Sequence, residues 1–354
     1  MKILYGIQGT GHGHISRARE IIPELVKYAE VDVLLSGYNC KMELEGIGVM
    51  RKRGISLNYN SEGSVSILKT AAGLQPITFI RDIRQLETAE YNFVISDYEP
   101  VSAWAARKNG TFSVAMSHQA SFLSKQSPRP RNRSMFGEAV LRHFAPCSRQ
   151  LGFHFQRYDS FILPPVIRRD VRELSPENDN HVTVYLPAYD HSFLLKMFLQ
   201  VPETDWHLFS PDCDAPFSVE NVFVYPVGNR SFLESMKSSR GVLTGAGFET
   251  CAEAMFLGKK LLSIPISGQY EQYCNEAALK KMGVHTARKI DHKFAELLRD
   301  WINNSSVVQL KEIADTGEIV QTLLRICQIN STQSVSLSSD SQPTRTDQIL
   351  SEVI

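Results

Sequence analysis

Two glycine-bracketed stretches hold the residues best suited to chemistry. The first is GTGHGH, residues 9–14, between the apolar run KILYGIQ and the helix-like SRAREIIPELVKYA. Gly9, Gly11 and Gly13 would let backbone amides approach a ligand, and the start of the following helix favours negative charge or polar oxygens. A phosphate-binding P-loop requires GxxxxGK[ST], and this loop has no lysine. A dinucleotide fingerprint requires an acidic residue at the end of the second strand, where this chain carries Ser36 and Gly37. The histidines open another chemistry. His14 stands where the loop turns into the helix, and an imidazole, with an unperturbed pKa of about 6.5, can serve as a base near neutral pH. The plainer alternative is that His12 and His14 are polar loop residues. An HxH metal pair would need further ligands.

The second stretch, residues 241–284, reads GVLTGAGFETCAEAMFLGKKLLSIPISGQYEQYCNEAALKKMGV. Its pattern predicts a strand running into Gly245 and Gly247, a short helix stopping at Gly258, and a strand ending at Pro265. A polar loop then opens a helix carrying Glu271, Gln272 and Asn275, capped at Gly283. Thr250 and Glu253 spell TxxE, which as a capping box would account for both residues without a ligand. Glu271 near a helix start could likewise only complement the helix dipole.

In this stretch the sequence resembles a family. Glu253 stands five residues before Gly258, Pro265 ends the strand, and Glu271-Gln272 precede Asn275. The array is similar to the donor-binding half of the GT-B glycosyltransferases, both the plant UDP-glycosyltransferases and the bacterial enzyme that adds N-acetylglucosamine to the peptidoglycan lipid precursor. The resemblance implies that Glu253 receives the ribose hydroxyls of a nucleotide-diphosphate sugar, with UDP as the expected nucleotide. Carboxylate oxygens suit a vicinal diol. It also implies that the helix start at Gly247 and Phe248, with Thr250, receives the diphosphate, and that Glu271 and Gln272 contact the sugar. Two positions depart from the pattern: Gly245 stands where a histidine or arginine is common, and Glu249 where an amide or hydroxyl is common. A basic residue from elsewhere, such as Arg230, would then assist the diphosphate.

The resemblance extends to GHIS, residues 13–16, where His14 takes the position of a general base on the acceptor hydroxyl. Asp97, in FVISDYEP, takes that of the aspartate that orients it, and His118, in AMSHQASF, would line the same cleft. The expected reaction is inverting transfer of a hexosyl group to a hydroxyl, with neither metal nor cofactor, the nucleotide sugar being substrate. Two alternatives stay open: a nucleotide-sugar 2-epimerase-like enzyme, and a non-catalytic nucleotide-sugar-binding subunit.

Positioning these residues requires a large scaffold. The chain has 354 residues, enough for two or three domains at about 150 residues each. Short apolar runs alternate with helical stretches on both sides of the proline-containing LPPVIRRDV, as in layered α/β domains with parallel sheets. The patterning gives two α/β halves, and the resemblance implies a GT-B-like arrangement: two Rossmann-like domains facing a cleft, acceptor-binding over 1–165 and donor-binding over 166–330. The last amphipathic helix would cross back to the first domain, and the serine-rich 331–354 would be a disordered tail. Ser16 is the expected N-cap of the first helix.

The 38 basic and 38 acidic residues cancel, which argues against a nucleic-acid binder held by counterion release. The six cysteines are scattered without a CxxC pair, as expected of reduced thiols in the cytoplasm. The first apolar run, Ile3 to Ile7, is shorter than the roughly 7–15 residues of a signal sequence or the roughly 20 of a membrane span. One local patch stands out. Between 124 and 149, Lys125, Arg129, Arg131, Arg133, Arg142 and Arg149 oppose only Glu138, beside Phe136, Val140, Leu141 and Phe144. This is either a solvated loop or a surface for peripheral contact with an anionic membrane or a lipid-linked or phosphate-bearing acceptor.

Overall fold

The computed structural model describes residues 1–9, 13–37, 48–55 and 75–339, with side chains as far as 328. In chain order the first half comprises β1 (Lys2–Gln8), α1 (Gly13–Leu25), β2 (Glu30–Ser36), β3 (Val49–Lys52), α2 (Pro76–Gln85), β4 (Phe93–Asp97), α3 (Pro100–Asn109) and β5 (Ser113–Ser117). A 3-10 turn (Gln119–Leu123), α4 (Met135–His143), β6 (Arg149–Phe153) and β7 (Ile162–Leu163) complete it. The second half comprises α5 (Arg169–Arg172), β8 (His181–Tyr185), α6 (His191–Phe198), β9 (Asp205–Ser210), β10 (Phe217–Val219), β11 (Val222–Pro226), α7 (Asn229–Ser238) and β12 (Gly241–Gly245). It continues through α8 (Phe248–Phe256), β13 (Lys260–Ile264), α9 (Tyr270–Met282), β14 (His285–Thr286), α10 (Phe294–Asn304) and α11 (Thr316–Ser339).

Each half is built on one sheet. The first has strand order β3-β2-β1-β4-β5-β6-β7 and is parallel throughout. The second has order β10-β11-β9-β8-β12-β13-β14, parallel except for the β10–β11 pair. Helices cover such strands on both faces, so β1, β4 and β12 are near-continuous apolar runs rather than alternating ones. In both sheets the strand order reverses once, between β1 and β4 and between β8 and β12. Those reversals open crevices at the carboxyl ends of the strands, where open α/β sheets bind ligands. The loop to His14 leaves β1, Asp97 ends β4, and Gly245 ends β12.

Local chemistry fixes the strand ends. The Glu99 side chain caps α3, accepting from the backbone N–H groups of Val101 (2.7 Å) and Ser102 (2.6 Å) and from the Ser36 hydroxyl (2.6 Å). A Cβ at Gly6 would overlap Ser102 and the Glu99 carboxylate, so glycine lets this cap lie against β1. Between Asp97 and Glu99, Tyr98 takes a left-handed φ of 54°, a conformation that costs a non-glycine residue on the order of 1 kcal/mol or more. The strain lies directly beside a residue expected to be catalytic.

The first sheet ends at Leu163 and the second begins at His181. Helix α11 returns to the first half, where Ile319, Val320 and Leu323 are buried in one apolar cluster with Ala18, Ile21, Ile22 and Leu25 of α1. Two local expectations are corrected. Ser16 lies inside α1, which begins at Gly13, so it is not the N-cap. The helical backbone of α11 runs through Ser339, nine residues into the expected tail. A helix already nucleated extends by one hydrogen bond per residue fixed, so polar residues continue it more readily than they could start it. The remainder, 340–354, lies outside the described residues.

Candidate active site

His14 and Arg17 stand one turn apart on the same face of α1, directed at the end of β4. His14 Nδ1 lies 2.7 Å from Asp97 Oδ1. Arg17 donates from Nη2 to the same oxygen at 2.6 Å and from Nε to Oδ2 at 3.0 Å. Asp97 has no exposed surface. Burial would push its carboxyl up, but Arg17 and then His14 outweigh this and hold it below the ordinary carboxylate value. With Asp97 ionised, a proton on His14 Nδ1 is accepted by Oδ1 and leaves Nε2 free to accept, while Arg17 Nη2 lies 3.1 Å from the same ring nitrogen. The His14 side chain remains 12% exposed, unlike Asp97.

The network does not end in the first half. Arg17 Nη1 donates to Glu249 Oε1 at 2.8 Å, so one guanidinium joins the end of β4 to the first turn of α8. Burial opposes the charge on Arg17, and Asp97 and Glu249 more than compensate, holding its pKa above the ordinary arginine value. Arg17 lay outside the sequence expectations, yet its signal was available. Positions 14, 17, 18, 21, 22 and 25 form one helical face, and Arg17 is the permanent cation among the buried Ala18, Ile21, Ile22 and Leu25.

The residues expected to meet the donor lie along the same boundary between the halves. Gly247 is the N-cap of α8 and makes no side-chain cap hydrogen bond; a Cβ there would meet nothing within 4 Å. Phe248 opens the helix with its ring buried, stacked on His118 at 3.9 Å and 5°. His118 faces Phe153 O through Nδ1 (2.8 Å) and Asn275 Oδ1 through Nε2 (2.7 Å), while Asn275 Nδ2 donates to Ala246 O. Burial lowers the His118 pKa. His118 therefore belongs to the contact between the halves, not to an open cleft wall. Thr250 is half-buried in the first turn of α8. The capping-box alternative fails because α8 begins at Phe248, which puts Thr250 at its third position and Glu253 mid-helix.

Glu253 is instead held by Arg168 from the connection between the halves, Nε to Oε1 at 2.6 Å and Nη2 to Oε2 at 2.9 Å. Burial raises the Glu253 pKa despite that partner. Arg168 also donates to Asn229 Oδ1 at 2.5 Å. Gln272 accepts from the backbone N–H groups of Ile266 (2.8 Å) and Ala246 (3.2 Å), tying the ends of β12 and β13 together. Glu271 accepts from Gln119 Nε2 at 3.0 Å, across the seam. The structure thus gathers His14, Asp97, Gly13, Gly247, Phe248, Thr250, Glu271, Gln272 and His118 around the two strand-order reversals. Gly11 lies outside the described residues, and Arg230 is exposed in the first turn of α7. A separate cavity of about 420 Å³ is lined by His207, Phe209, Tyr225 and residues of α7.

Comparison with known proteins agrees with this arrangement. No curated protein matches the sequence. Among solved structures, the chain is similar to the glycosyltransferase SnogD from Streptomyces nogalater, with TM-score 0.59 and 15% identity over 92% of this chain and 99% of the other. It is similar to Phytolacca americana UGT2 complexed with UDP-2-fluoro-glucose and pterostilbene, with TM-score 0.56 and 14% identity over 99% and 98%. It is also similar to Acinetobacter baumannii MurG, with TM-score 0.55 and 12% identity over 92% and 99%. These likenesses bear out the two-domain GT-B fold. The family model for glycosyl transferase family 1 matches residues 1–304, and the chain belongs to that family.

Proposed function

We propose that this glycosyltransferase moves a hexosyl group from a UDP-sugar to a hydroxyl acceptor by a single inverting displacement, without a metal or other cofactor. The observation that carries the reading is the His14–Asp97 pair at one strand-order reversal, joined through Arg17 to the start of α8 at the other. Asp97 fixes the imidazole with Nδ1 protonated, so Nε2 takes the acceptor's proton. The acceptor oxygen then attacks the anomeric carbon from the face opposite the diphosphate. The bond to the diphosphate breaks, and its electron pair goes to the leaving phosphate oxygen. Backbone N–H groups at the start of α8 favour that developing charge, as cations do in metal-dependent transferases. Phytolacca UGT2, complexed with UDP-2-fluoro-glucose, supports UDP as the nucleotide.

In this reading the ribose diol shares or displaces Arg168 at Glu253, and Glu271 with Gln272 meets the sugar. The epimerase alternative fares worse, because Asp97, Glu249 and Glu253 are each bound by an arginine rather than poised as acid–base carboxylates. The acceptor approaches His14 from the first half. Near that half's α4, Met135 (90% exposed) and Phe136 (69%) project beside exposed Arg131 and Arg133, a combination suited to the surface of an anionic membrane. Arg129 leaves this set, since it binds Glu138 and the Phe122 carbonyl. Leu141 leaves the apolar face because it is buried. Among the described residues no helix is long and apolar enough to cross a membrane, so the proposed contact is peripheral, at the cytoplasmic face.

Three outcomes are expected. Glu253→Gln weakens UDP binding by about 1–3 kcal/mol in calorimetry; unchanged affinity with a lowered Tm would make Glu253 a structural partner of Arg168 only. His14→Ala lowers turnover by roughly 10²–10⁴ with UDP binding retained, and near-normal turnover would remove His14 from the chemistry. The full chain co-sediments with phosphatidylserine-containing vesicles at low salt. That binding is lost when Arg131 and Arg133 are changed to Ser, each contributing about 1 kcal/mol. Indifference of the wild type to such vesicles would leave α4 as a solvated surface.

A further inference from the structure

A nucleoside diphosphate brings at least two negative charges to the start of α8, whose dipole offers the equivalent of about half a positive charge. Gly245 contributes no side chain there. Arg17, contributed by the other half, reaches the first turn of α8 through Glu249. Its guanidinium is divided: Nε and Nη2 bind Asp97, while Nη1 points across the seam to Glu249.

The partners of Arg17 differ in how easily each can leave. Asp97 is fully buried and held from two sides, whereas the Glu249 side chain is 29% exposed. Glu249 is the second residue of α8, and its carboxylate also lies against Gly13, the first residue of α1, where a Cβ would overlap it. One partly exposed carboxylate thus occupies the meeting point of two helix starts and a buried guanidinium. Helix starts and arginine forks bind phosphate oxygens as readily as carboxylates.

We propose that Arg17 is the cation that binds the donor's β-phosphate, and that Glu249 is the anion this phosphate displaces from Nη1. The inference rests on the nucleotide-sugar reading above. It explains how α8 accepts a diphosphate although Gly245 supplies no charge and Glu249 adds an unfavourable one. The exchange keeps Arg17 paired throughout, so a buried guanidinium is never left without a counter-charge. It also makes the site selective: a monophosphate lacks the group that competes with Glu249. Arg17 meanwhile keeps its bonds to Asp97, so phosphate binding and orientation of His14 are set by one side chain.

The test uses the full chain and the nucleoside diphosphate that wild type binds best among UDP, dTDP, ADP and GDP, beside its monophosphate. Glu249→Gln removes the competing charge while preserving side-chain size. Calorimetry is expected to show tighter diphosphate binding, about ten- to hundredfold, the scale of one charge-assisted hydrogen bond. The monophosphate should change less than twofold, so the ratio of the two affinities rises even if the variant alters closure of the halves. Arg17→Lys, with a folded melting profile, is expected to lower that ratio. If Glu249→Gln weakens both nucleotides equally or leaves the ratio unchanged, the exchange is overturned and Glu249 is an interdomain tie. If wild type binds none of the four diphosphates, the nucleotide-sugar reading falls, and that result is seen before any variant is made.

Discussion

A carboxylate with no exposed surface, such as Asp97, remains ionised only if partners replace the water it has lost. Here the partners are Arg17, with two hydrogen bonds, and His14, with one. Each depends on the same local geometry: α1 must begin at Gly13 to place its first turn over the end of β4, and Tyr98 must adopt its left-handed conformation as the chain turns from Asp97 to Glu99. Removing Arg17 would leave a buried charge held by an imidazole alone. The ion network therefore constrains the His14–Asp97 pair as strongly as it constrains the fold.

The same network makes the two halves one site. Each sheet has its own strand-order reversal and would form a crevice independently, but the Arg17–Glu249 bond and the His118–Phe248 stack register one crevice against the other. Most polar side chains along this seam already have protein partners: Glu253 has Arg168, Glu271 has Gln119, and Gln272 has two backbone amides. A ligand bound here would exchange partners rather than fill unused hydrogen-bonding capacity. An exchanged bond contributes less net affinity than its gross strength but discriminates sharply against ligands that cannot replace it.

Much of this was legible in the sequence because it is local. Strand, glycine turn and helix follow one another closely between 241 and 284, and the order of elements around Pro164 and Pro165 announces two α/β halves. Asp97 could be placed at a strand end and His14 at a helix start from apolar patterning alone. What escaped depends on distant chain segments meeting. Arg168 reaches Glu253 across 85 positions, and Arg17 reaches Glu249 across 232; no spacing rule encodes either pair. The TxxE alternative at Thr250 falls because that pattern caps a helix only where the helix begins, and α8 begins at Phe248 as the glycine turn implied. His118 resembled a cleft residue from its position at a strand end, yet stacking on Phe248 commits it to the seam.

A nucleoside diphosphate held where the starts of α1 and α8 meet would touch both halves at once. Hydrogen–deuterium exchange of the full chain with and without UDP tests it most directly. UDP is expected to slow exchange together in two separate segments, residues 13–18 and 246–251, because one ligand closes both helix starts. Protection confined to the cavity lined by His207 and Tyr225, or protection of 246–251 without any change at 13–18, would contradict it.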